Sequence, residues 1–475
     1  MRRKQGRVLG GIALTDYVSG GRSLARVDGK VVFVEGAVPG DVVDVLLTKS
    51  RTDWSEGRAI RFHQLSQERE APFCRHFGSC GGCQWQMLPY ARQLSWKEKE
   101  VGEQLRRIGR VEIPDLLPIL GAATTRGYRN KLEYTFSNRR YLTEAEMHAA
   151  GGWEEQQAWK ERPALGYHAP RQFDKVLDIG QCHLQAEPSN AIREWFRAYA
   201  LQEGLSFYDI RAQTGLLRNL VLRSTRGGEW MVNLVTGPRE QEDVARMLSA
   251  FLEAFPATTS LYHTVNPKRN DSLYDLAPIL FAGRPYITET LGDLYFRIGP
   301  ISFFQTNPEQ AERLYGVVRS FAGLTGRETV YDLYCGTGSI GLFLHAGAQR
   351  VVGVEAVAAA VEDARANAVL NGIAHASFHA GDVADLCTEA FFSAQGRPDV
   401  VVTDPPRAGM HARLVETILS VQAPRLIYVS CNPATQARDL QALDIAYRVT
   451  AVQPVDMFPH THHIENVVQL QLREL

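Results

Sequence analysis

Residues 330–341 read Val330-Tyr-Asp-Leu-Tyr-Cys-Gly-Thr-Gly-Ser-Ile-Gly341, and this stretch decides the fold of the C-terminal part of the chain. A β-rich run passes directly into a Gly-x-Gly-x-x-Gly loop, and a helix-like run follows. Glycines in such a turn let the backbone approach a bound nucleotide closely. The stretch therefore predicts a strand, a nucleotide-binding loop that contains Gly336 and Gly338, and a helix.

Strand and helix patterns alternate from about residue 325 onward. A helix-like run at 357–370 ends at Asn371-Gly372, a typical C-cap pair. This alternation predicts a parallel, doubly wound sheet, and thus an α/β, Rossmann-like domain over residues 301–475. The predicted strands are Thr329–Leu333, Arg350–Glu355, Ser377–Ala380, Asp399–Thr403, Leu426–Val429 and Asn466–Leu472.

The rest of the chain divides into two further parts. Residues 1–64 contain short β-rich runs with turn residues between them, which predicts a small OB-like β-barrel, either RNA-binding or an accessory module without a ligand. They hold eleven Lys and Arg, including Arg2, Arg3 and Lys4, against seven Asp and Glu. Residues 65–300 are predicted to form a mixed α+β central domain. Its helix near 88–110 is a candidate for packing on the C-terminal domain, and 141–161 is predicted to be a surface insertion.

Composition limits the class of protein. The net charge is −1, so any binding of nucleic acid has to rest on local basic patches. The chain has no 18-residue apolar run and no recognisable secretory signal, so we expect a cytoplasmic protein without a membrane span. Seven cysteines, an odd number, argue against a disulfide framework.

Three acidic residues lie at or near the carboxyl ends of the predicted strands around the glycine loop. Glu355 ends the second strand, where a carboxylate can accept the hydroxyls of a ribose. Asp332 suits a ligand with a cationic methionine end better than it suits a pyrophosphate, which favours a methyltransferase over a dinucleotide enzyme. Asp382 follows the third strand and is positioned for an adenine amino group.

Two further motifs follow predicted strands at the carboxyl edge of the sheet, where ligands bind in such folds. They are Asp404-Pro-Pro-Arg407 and Ser430-Cys-Asn-Pro433. Asn432 suits an N-cap, and the proline after it suits the first position of a helix. Cys431 would then lie beside a helix N-terminus, which favours the thiolate form. Cys335 and Cys387 lack such a setting and are interpreted as structural.

A compact cysteine cluster lies in the central part, with Cys74, Cys80 and Cys83 in a glycine-rich loop. Thiolates at short spacing select an iron–sulfur cluster or zinc, and the spacing alone does not separate the two. A site with four ligands needs one more ligand than these three cysteines provide. The spacing disfavours a radical S-adenosylmethionine site, which would need Cys-x3-Cys-x2-Cys.

The motifs together resemble the RNA uracil-5 methyltransferase family. The resemblance is carried by Phe303-Phe-Gln-Thr-Asn-Pro308, Asp332-Leu-Tyr-Cys-Gly-Thr-Gly338, Asp404-Pro-Pro-Arg407, Ser430-Cys-Asn-Pro433 and His463-Ile-Glu-Asn-Val-Val468. The N-terminal features resemble the 23S ribosomal RNA branch, which has a TRAM barrel and a 4Fe-4S cluster. The resemblance thus implies S-adenosylmethionine and a 4Fe-4S cluster as cofactors, 23S ribosomal RNA as the partner, and a monomer. A tRNA substrate remains the alternative.

The resemblance also assigns roles to individual residues. It implies Cys182 as the fourth cluster ligand; zinc held by three cysteines and His183 is the alternative. It places Asp404 and Phe303 against the substrate, with Phe303 or Phe304 stacking on an extruded base. The implied cofactor contacts are Gln305, Tyr334, Gly336, Gly338, Ser339, Glu355, Asp382 and Asp404.

The chemistry of uracil assigns the catalytic pair. Carbon 5 is a weak nucleophile until a thiolate attacks carbon 6, and Cys431 is the candidate for that attack. The proton on carbon 5 must then leave, and Glu465 is the candidate base. His462 and His463 adjoin it but are interpreted as surface residues. Two alternatives remain, an amino-methyltransferase that uses Asp-Pro-Pro and a catalytically inactive RNA-binding assembly factor.

Overall fold

The N-terminal strands form a curled sheet around a small core in the computed structural model, which describes residues 7–238 and 241–474. The strands are β1 (Val8–Ala13), β2 (Asp16–Val18), β3 (Arg22–Val27), β4 (Lys30–Glu35), β5 (Val42–Ser50) and β6 (Trp54–Gln64). Their order is β1-β5-β6-β4-β3-β2, and only β4 and β6 pair in parallel. Alternate residues such as Val32, Val34, Val43 and Val45 are buried, as expected for a half-buried sheet. Arg2, Arg3 and Lys4 of the predicted basic patch lie outside the described residues.

A linking segment leads from this sheet into the central domain. It carries the cysteine loop and then helix α1 (Tyr90–Gln104), which continues as a π-helical turn over Leu105–Gly109. Arg110 follows with a left-handed backbone, φ 51°, and ends the helix. The predicted helix near 88–110 is therefore present.

The central domain is an eight-stranded sheet with two helices packed on one face. Its order is β14-β13-β12-β11-β7-β9-β10-β8, and β11 and β12 form an antiparallel hairpin that turns at Gly227-Gly228. The predicted insertion forms α2 and α3. The elements are β7 (Lys131–Ser137), β8 (Arg140–Tyr141), α2 (Glu144–Ala149), α3 (Trp153–Lys160), β9 (Ala164–His168), β10 (Val176–Asp178), α4 (Ser189–Gln202), β11 (Leu217–Ser224), β12 (Trp230–Thr236), α5 (Gln241–Ala254), β13 (Ser260–Val265) and β14 (Ile279–Gly283).

The C-terminal domain is a seven-stranded α/β sheet preceded by a hairpin and a helix. The elements are β15 (Ile287–Leu291), β16 (Leu294–Ile298), α6 (Pro308–Ala322), β17 (Thr329–Leu333), α7 (Ser339–Leu344), a 3-10 turn (His345–Gly347), β18 (Arg350–Glu355), α8 (Ala358–Leu370), β19 (Ala376–Ala380), α9 (Val383–Leu386), α10 (Glu389–Gln395), β20 (Val400–Thr403), α11 (Ala412–Val421), β21 (Arg425–Ser430), α12 (Pro433–Leu443), β22 (Tyr447–Val455) and β23 (Glu465–Leu472).

The order of this sheet locates the crevice for a ligand. It is β19-β18-β17-β20-β21-β23-β22, parallel up to β21, with β23 antiparallel to both of its neighbours. The chain leaves β17 toward β18 and later returns on the other side as β20. Ligands bind at such a switch point, outside the carboxyl ends of the strands. All six predicted strands are present, whereas β22 was not predicted.

Side chains from outside the C-terminal sheet pack into the hydrophobic cores on both of its faces. The hairpin β15–β16 buries Ile287, Leu291 and Phe296 in the core under the C-terminal sheet. Val101 of α1 and Leu105 after it lie in the core on the other face, against α12. In the part of the chain that the structure describes, no helix combines the length and apolarity that crossing a membrane requires.

Candidate active site

The glycine loop after β17 has the geometry of a ligand cradle. Tyr334, Gly336 and Gly338 have positive φ angles of 63°, 53° and 77°. A Cβ on Gly336 would meet no atom of the described part of the chain within 4 Å, so open space lies over the loop. A Cβ on Gly338 would approach Ala364 and Phe378 to about 3.0 Å, so this glycine instead permits close packing on α8 and β19. Ser339 begins α7, and its hydroxyl lies 2.9 Å from the hydroxyl of Tyr315.

Asp332 is a buried carboxyl with one free oxygen. Its Oδ2 accepts a 2.7 Å hydrogen bond from the amide of Gly341, whereas Oδ1 is buried with no hydrogen-bond partner among the residues that the structure describes. Burial raises the pKa of Asp332 to about 7; the Gly341 hydrogen bond opposes this, and the charges of Asp404 and Glu355 add to it. A buried carboxyl with an unused oxygen is suited to a cationic ligand group.

Glu355 and Asp382 stand after the next two strands, as the sequence predicts. Glu355 accepts hydrogen bonds from the amides of Gly336 at 3.1 Å and Val357 at 2.9 Å, which ties its carboxylate to the glycine loop. Asp382 is exposed and caps α9 by accepting from the amide of Ala384 at 2.9 Å. The two carboxylates therefore line the same edge as Gly336.

Of the two adjacent phenylalanine side chains, one is exposed to solvent and the other is buried. The Phe303 side chain is 65% exposed, whereas Phe304 is buried and packs on Phe296 with ring centroids 5.8 Å apart. Gln305 follows, and its carbonyl accepts a 3.0 Å hydrogen bond from Asn130 Nδ2 of the central domain. Phe303 is therefore the ring available for stacking, and Asn130 is a supporting residue that sequence reasoning missed.

Cys431 lies at the end of β21, before α12, as predicted. Asn432 caps α12 by accepting from the amide of Ala434 at 3.1 Å, and Pro433 is the first helical residue. The Asn432 side chain also donates to the carbonyl of Arg407 at 3.0 Å. The two motif loops are thus joined directly to each other.

The expected preference of Cys431 for the thiolate is not met. Burial raises the pKa of its thiol to about 11, and the charges of Glu465 and Asp404 raise it as well, whereas Arg407 lowers it. Desolvation and two carboxylates outweigh the helix N-terminus. Burial also raises the pKa of both carboxyls, and the charge of Asp404 raises that of Glu465 further.

Arg407 and the two histidines were not assigned roles from the sequence. Arg407 Nη2 donates to His463 Nδ1 at 2.9 Å, and His462 Nδ1 lies 3.1 Å from Gln84 Oε1. Burial first, and neighbouring cations next, lower the pKa of both histidines to about 4. Both histidines are partly buried, and each makes a side-chain contact that their interpretation as surface residues did not include. The position of Arg407 in the quoted Asp-Pro-Pro-Arg motif was the available signal.

The four predicted ligand cysteines line one cavity of about 490 Å³. They are Cys74, Cys80 and Cys83 from the loop and Cys182 from the segment after β10. All four thiols are free. Burial raises the pKa of Cys80 to about 11 and of Cys83 to about 12, and the other thiols of the group raise both further.

The side chains in this cavity do not form a site for a single ion. Within residues 7–238 and 241–474, no three His, Cys, Asp or Glu side chains are grouped so that they could hold a metal ion. A zinc site needs sulfur ligands about 2.3 Å from one point. The arrangement therefore does not support the zinc alternative with His183.

Two family models match parts of the chain. Residues 281–473, which include the sheet edge with Cys431, match the tRNA (Uracil-5-)-methyltransferase family. Residues 12–60, which lie in the curled N-terminal sheet, match the TRAM domain.

Relatives match over nearly the whole length. A protein of Bacteroides thetaiotaomicron, named an uncharacterized RNA methyltransferase, is 50% identical over 456 residues, or 95% of this chain and 99% of the relative. One of Porphyromonas gingivalis with the same name is 48% identical, over 96% of this chain and 98% of the relative.

A solved structure shares the whole architecture. The tRNA (uracil-54, C5)-methyltransferase of Pyrococcus abyssi, crystallised with S-adenosyl-L-homocysteine, superposes with a TM-score of 0.74 at 27% identity. The superposition covers 97% of this chain and 100% of the archaeal chain.

Proposed function

We propose, on the premise that this chain belongs to the RNA methyltransferase family with a tRNA (uracil-5-)-methyltransferase domain and a TRAM domain, that it methylates carbon 5 of a uridine through a covalent Cys431 adduct. The chain is an S-adenosylmethionine-dependent RNA methyltransferase of the uracil-5 family. The observation that carries the proposed mechanism is the electrostatic interaction of Cys431 with two carboxyls, the partly buried Asp404 and the buried Glu465, at the carboxyl edge of the sheet.

The glycine loop fits the cofactor. The free Oδ1 of Asp332 would face the cationic methionine end, and the open space over Gly336 would receive the nucleoside. Glu355 would accept the ribose hydroxyls, and Asp382 the adenine amino group. Gln305, Tyr334, Gly338 and Ser339 complete the predicted contacts. When bound, S-adenosylmethionine supplies the methyl group as an electrophile.

The residues of the chain would act in a fixed order on the uracil ring. The Cys431 thiolate bonds to carbon 6, and the electrons of the ring double bond move to form an enolate that is nucleophilic at carbon 5. After carbon 5 has gained the methyl group, the Glu465 carboxylate takes the carbon 5 proton. The double bond then reforms, and the thiolate leaves carbon 6.

Asp404 would complement Glu465 because two neighbouring carboxyls whose pKa values are raised do not both ionise readily. A protonated Asp404 donates a hydrogen bond to a uracil carbonyl, where the enolate charge develops. Glu465 then remains the ionised member of the pair and accepts the proton. The raised pKa of both carboxyls supports a pair that keeps one proton near neutral pH, and we propose that Asp404 carries this proton in the reacting complex.

The raised thiol pKa leads to a prediction on pH. Because little thiolate is present at pH 7, kcat/KM should rise between pH 7 and 9 without a plateau, by at most about tenfold per pH unit. Loss of the proton from Asp404, whose pKa is raised to about 7, acts in the opposite direction and makes the rise less steep. The measurement is kcat/KM on a short RNA at fixed ionic strength, with cofactor affinity followed over the same range.

Arg407 offers the matched control, since its charge lowers the thiol pKa. Arg407→Met should lose activity by about the same factor at pH 7 and pH 9, because both lie below the thiol pKa, whereas Arg407→Lys should retain part of the activity. A wild-type profile that is flat from pH 7 upward would contradict the raised pKa.

The RNA substrate is proposed to be 23S ribosomal RNA, from the resemblance to the TRAM-containing branch. A tRNA is the second candidate, because the superposed archaeal enzyme is a tRNA methyltransferase. Mapping of 5-methyluridine in ribosomal RNA and tRNA, from cells with and without this gene, tests both. Loss of one ribosomal site supports the first substrate, and loss of a tRNA site supports the second. Unchanged 5-methyluridine in both RNAs would favour the inactive assembly factor.

The cysteine cavity is proposed to hold a 4Fe-4S cluster. Four soft thiols in one cavity, of which those of Cys80, Cys83 and Cys182 are desolvated, suit an iron–sulfur centre, whose ligands bind separate irons and therefore need not converge on one point. Such a cluster would be structural or would position RNA, because the proposed methyl transfer moves no net electrons.

We therefore expect about four irons per chain after anaerobic purification. Cys182→Ser should lower the iron content, whereas Cys387→Ser, at a buried cysteine outside the cavity, should not. Metal analysis and the visible absorption spectrum are the measurements. One zinc per chain without iron would overturn the assignment.

A further inference from the structure

The loop that precedes the predicted base is held from outside its own domain. We name residues 456–464 the base loop; it connects β22 to β23, and Val455 pairs with Glu465 across its ends. His460 at its centre has a left-handed backbone, φ 64°. A non-glycine residue keeps this conformation only where surrounding contacts impose it.

The end of the cysteine loop supplies the first of these contacts. The amides of Gln84 and Trp85 donate to the carbonyl of His460 at 2.8 and 3.0 Å. The Gln84 side chain also contacts His462 at 3.1 Å. Cys83, which lines the cysteine cavity, directly precedes Gln84. The backbone of the cavity wall is therefore hydrogen-bonded to the base loop.

Gln93 of α1 clamps the same two segments together. Its Oε1 accepts from the amide of His460 at 2.8 Å, and its Nε2 lies 3.1 Å from His460 Nδ1. The same Nε2 donates to the carbonyls of Trp85 and Leu88 at 3.0 and 2.9 Å. The Gln93 side chain is fully buried. One amide group thus joins α1, the cysteine loop and the base loop.

A buried ion pair fixes the start of the base loop. Lys97 of α1 lies 2.6 Å from Asp456, and both side chains are fully buried. Lys97 also donates to the carbonyl of Phe458 at 3.2 Å, and Tyr90 donates to Asp456 at 2.8 Å. A buried charge pair with further hydrogen bonds favours one arrangement over its alternatives.

From these contacts we infer that Gln84 and Gln93 are positioning residues for Glu465, so that an intact cysteine cavity is required to place the base. This inference rests on the proposed function. The far end of the base loop carries His463, which accepts from Arg407 beside Cys431. Displacement of the loop should therefore impair removal of the carbon 5 proton more than cofactor binding, since none of these contacts involves the glycine loop.

The test compares Gln93→Met and Gln84→Ala with Arg92→Ala, a control on α1 whose partly exposed side chain pairs with Glu68, outside the base loop. In the first two variants we expect kcat to fall roughly tenfold or more, because small misplacements of a catalytic group are costly. Protein–RNA adduct should accumulate on ordinary RNA, and hydrogen exchange in 456–464 should accelerate. Cofactor affinity and iron content should match the wild type. Arg92→Ala should behave as the wild type throughout.

Cys74→Ser tests the link to the cavity, because Cys74 lies on the cysteine loop ten residues before Gln84. It should reproduce the fast exchange in 456–464 and the adduct accumulation with unchanged cofactor affinity. Wild-type exchange in this loop in both Gln84→Ala and Cys74→Ser would overturn the inference, as would a lower kcat without extra adduct. If Gln93→Met does not fold, Gln84→Ala provides the test by itself. If the proposed function itself is wrong, the result is distinguishable, because the wild-type enzyme and all of the variants would then form no adduct with RNA.

Discussion

The Cys431→Ala variant is expected to lose methyl transfer by at least about 10⁴-fold in kcat, the scale seen when a covalent nucleophile is removed. Without the sulfur, carbon 5 of the uracil is not activated. The thiol lies after β21, apart from the glycine loop after β17, so cofactor affinity should change little. Transfer of labelled methyl groups to RNA measures the loss, and calorimetry measures cofactor affinity.

Trapping on RNA that contains 5-fluorouridine gives a second readout. With fluorine at carbon 5 there is no proton for the base to remove after methyl transfer, so the thiolate cannot be eliminated. The wild-type enzyme should therefore remain covalently attached to the RNA. Cys431→Ala should form no such adduct, whereas Cys387→Ala, at a buried cysteine elsewhere, should form it normally. Methylation retained in Cys431→Ala would refute the covalent mechanism and favour the amino-methyltransferase alternative, which needs no nucleophilic cysteine.

The Glu465→Gln variant should fail at a later step. A glutamine is nearly isosteric but does not accept the carbon 5 proton, so methyl transfer proceeds and elimination stalls. We expect turnover to fall by about 10² to 10⁴, the usual contribution of a general base. A methylated protein–RNA adduct should accumulate on ordinary RNA and be visible on denaturing gels.

Asp404→Asn is the informative companion variant. It keeps a donor near the uracil carbonyl and removes a carboxyl that, whenever it ionises, raises the pKa of Glu465. We expect less adduct accumulation than in Glu465→Gln, because the proton acceptor is intact. Normal product release by Glu465→Gln, with no adduct, would remove this residue from the role of base.

Local sequence determined the sheet and the position of its functional edge. The strands Thr329–Leu333 and Arg350–Glu355 were predicted with the bounds that the structure has. The caps of α8 and α12 were also predicted, from Asn371 and from Asn432 with Pro433. Glycine, proline and capping residues act within a few residues of themselves, so their effect is visible in the sequence.

Strand β22 shows where local patterns were insufficient. Residues 447–455 form an edge strand that pairs with β23 on one side. A register shift between Val449 and Ala451 interrupts the pairing, and with it the regular alternation of inward and outward side chains. The tertiary structure supplies the remaining contacts, including backbone bonds from Leu117 and Leu120 to this strand. Distant segments stabilise such a strand, and no short window of sequence contains them.

What the sequence determined by itself was the type of fold, the motif residues and their chemistry. Only the tertiary structure decided which phenylalanine of the pair is exposed, that Cys182 joins Cys74 in one cavity, and that Cys431 carries a raised pKa. It also decided that α1 and the cysteine loop hold the base loop. The physical reason is common to all four. Burial, desolvation and charge interaction depend on which groups surround a side chain, and those groups come from distant parts of the chain.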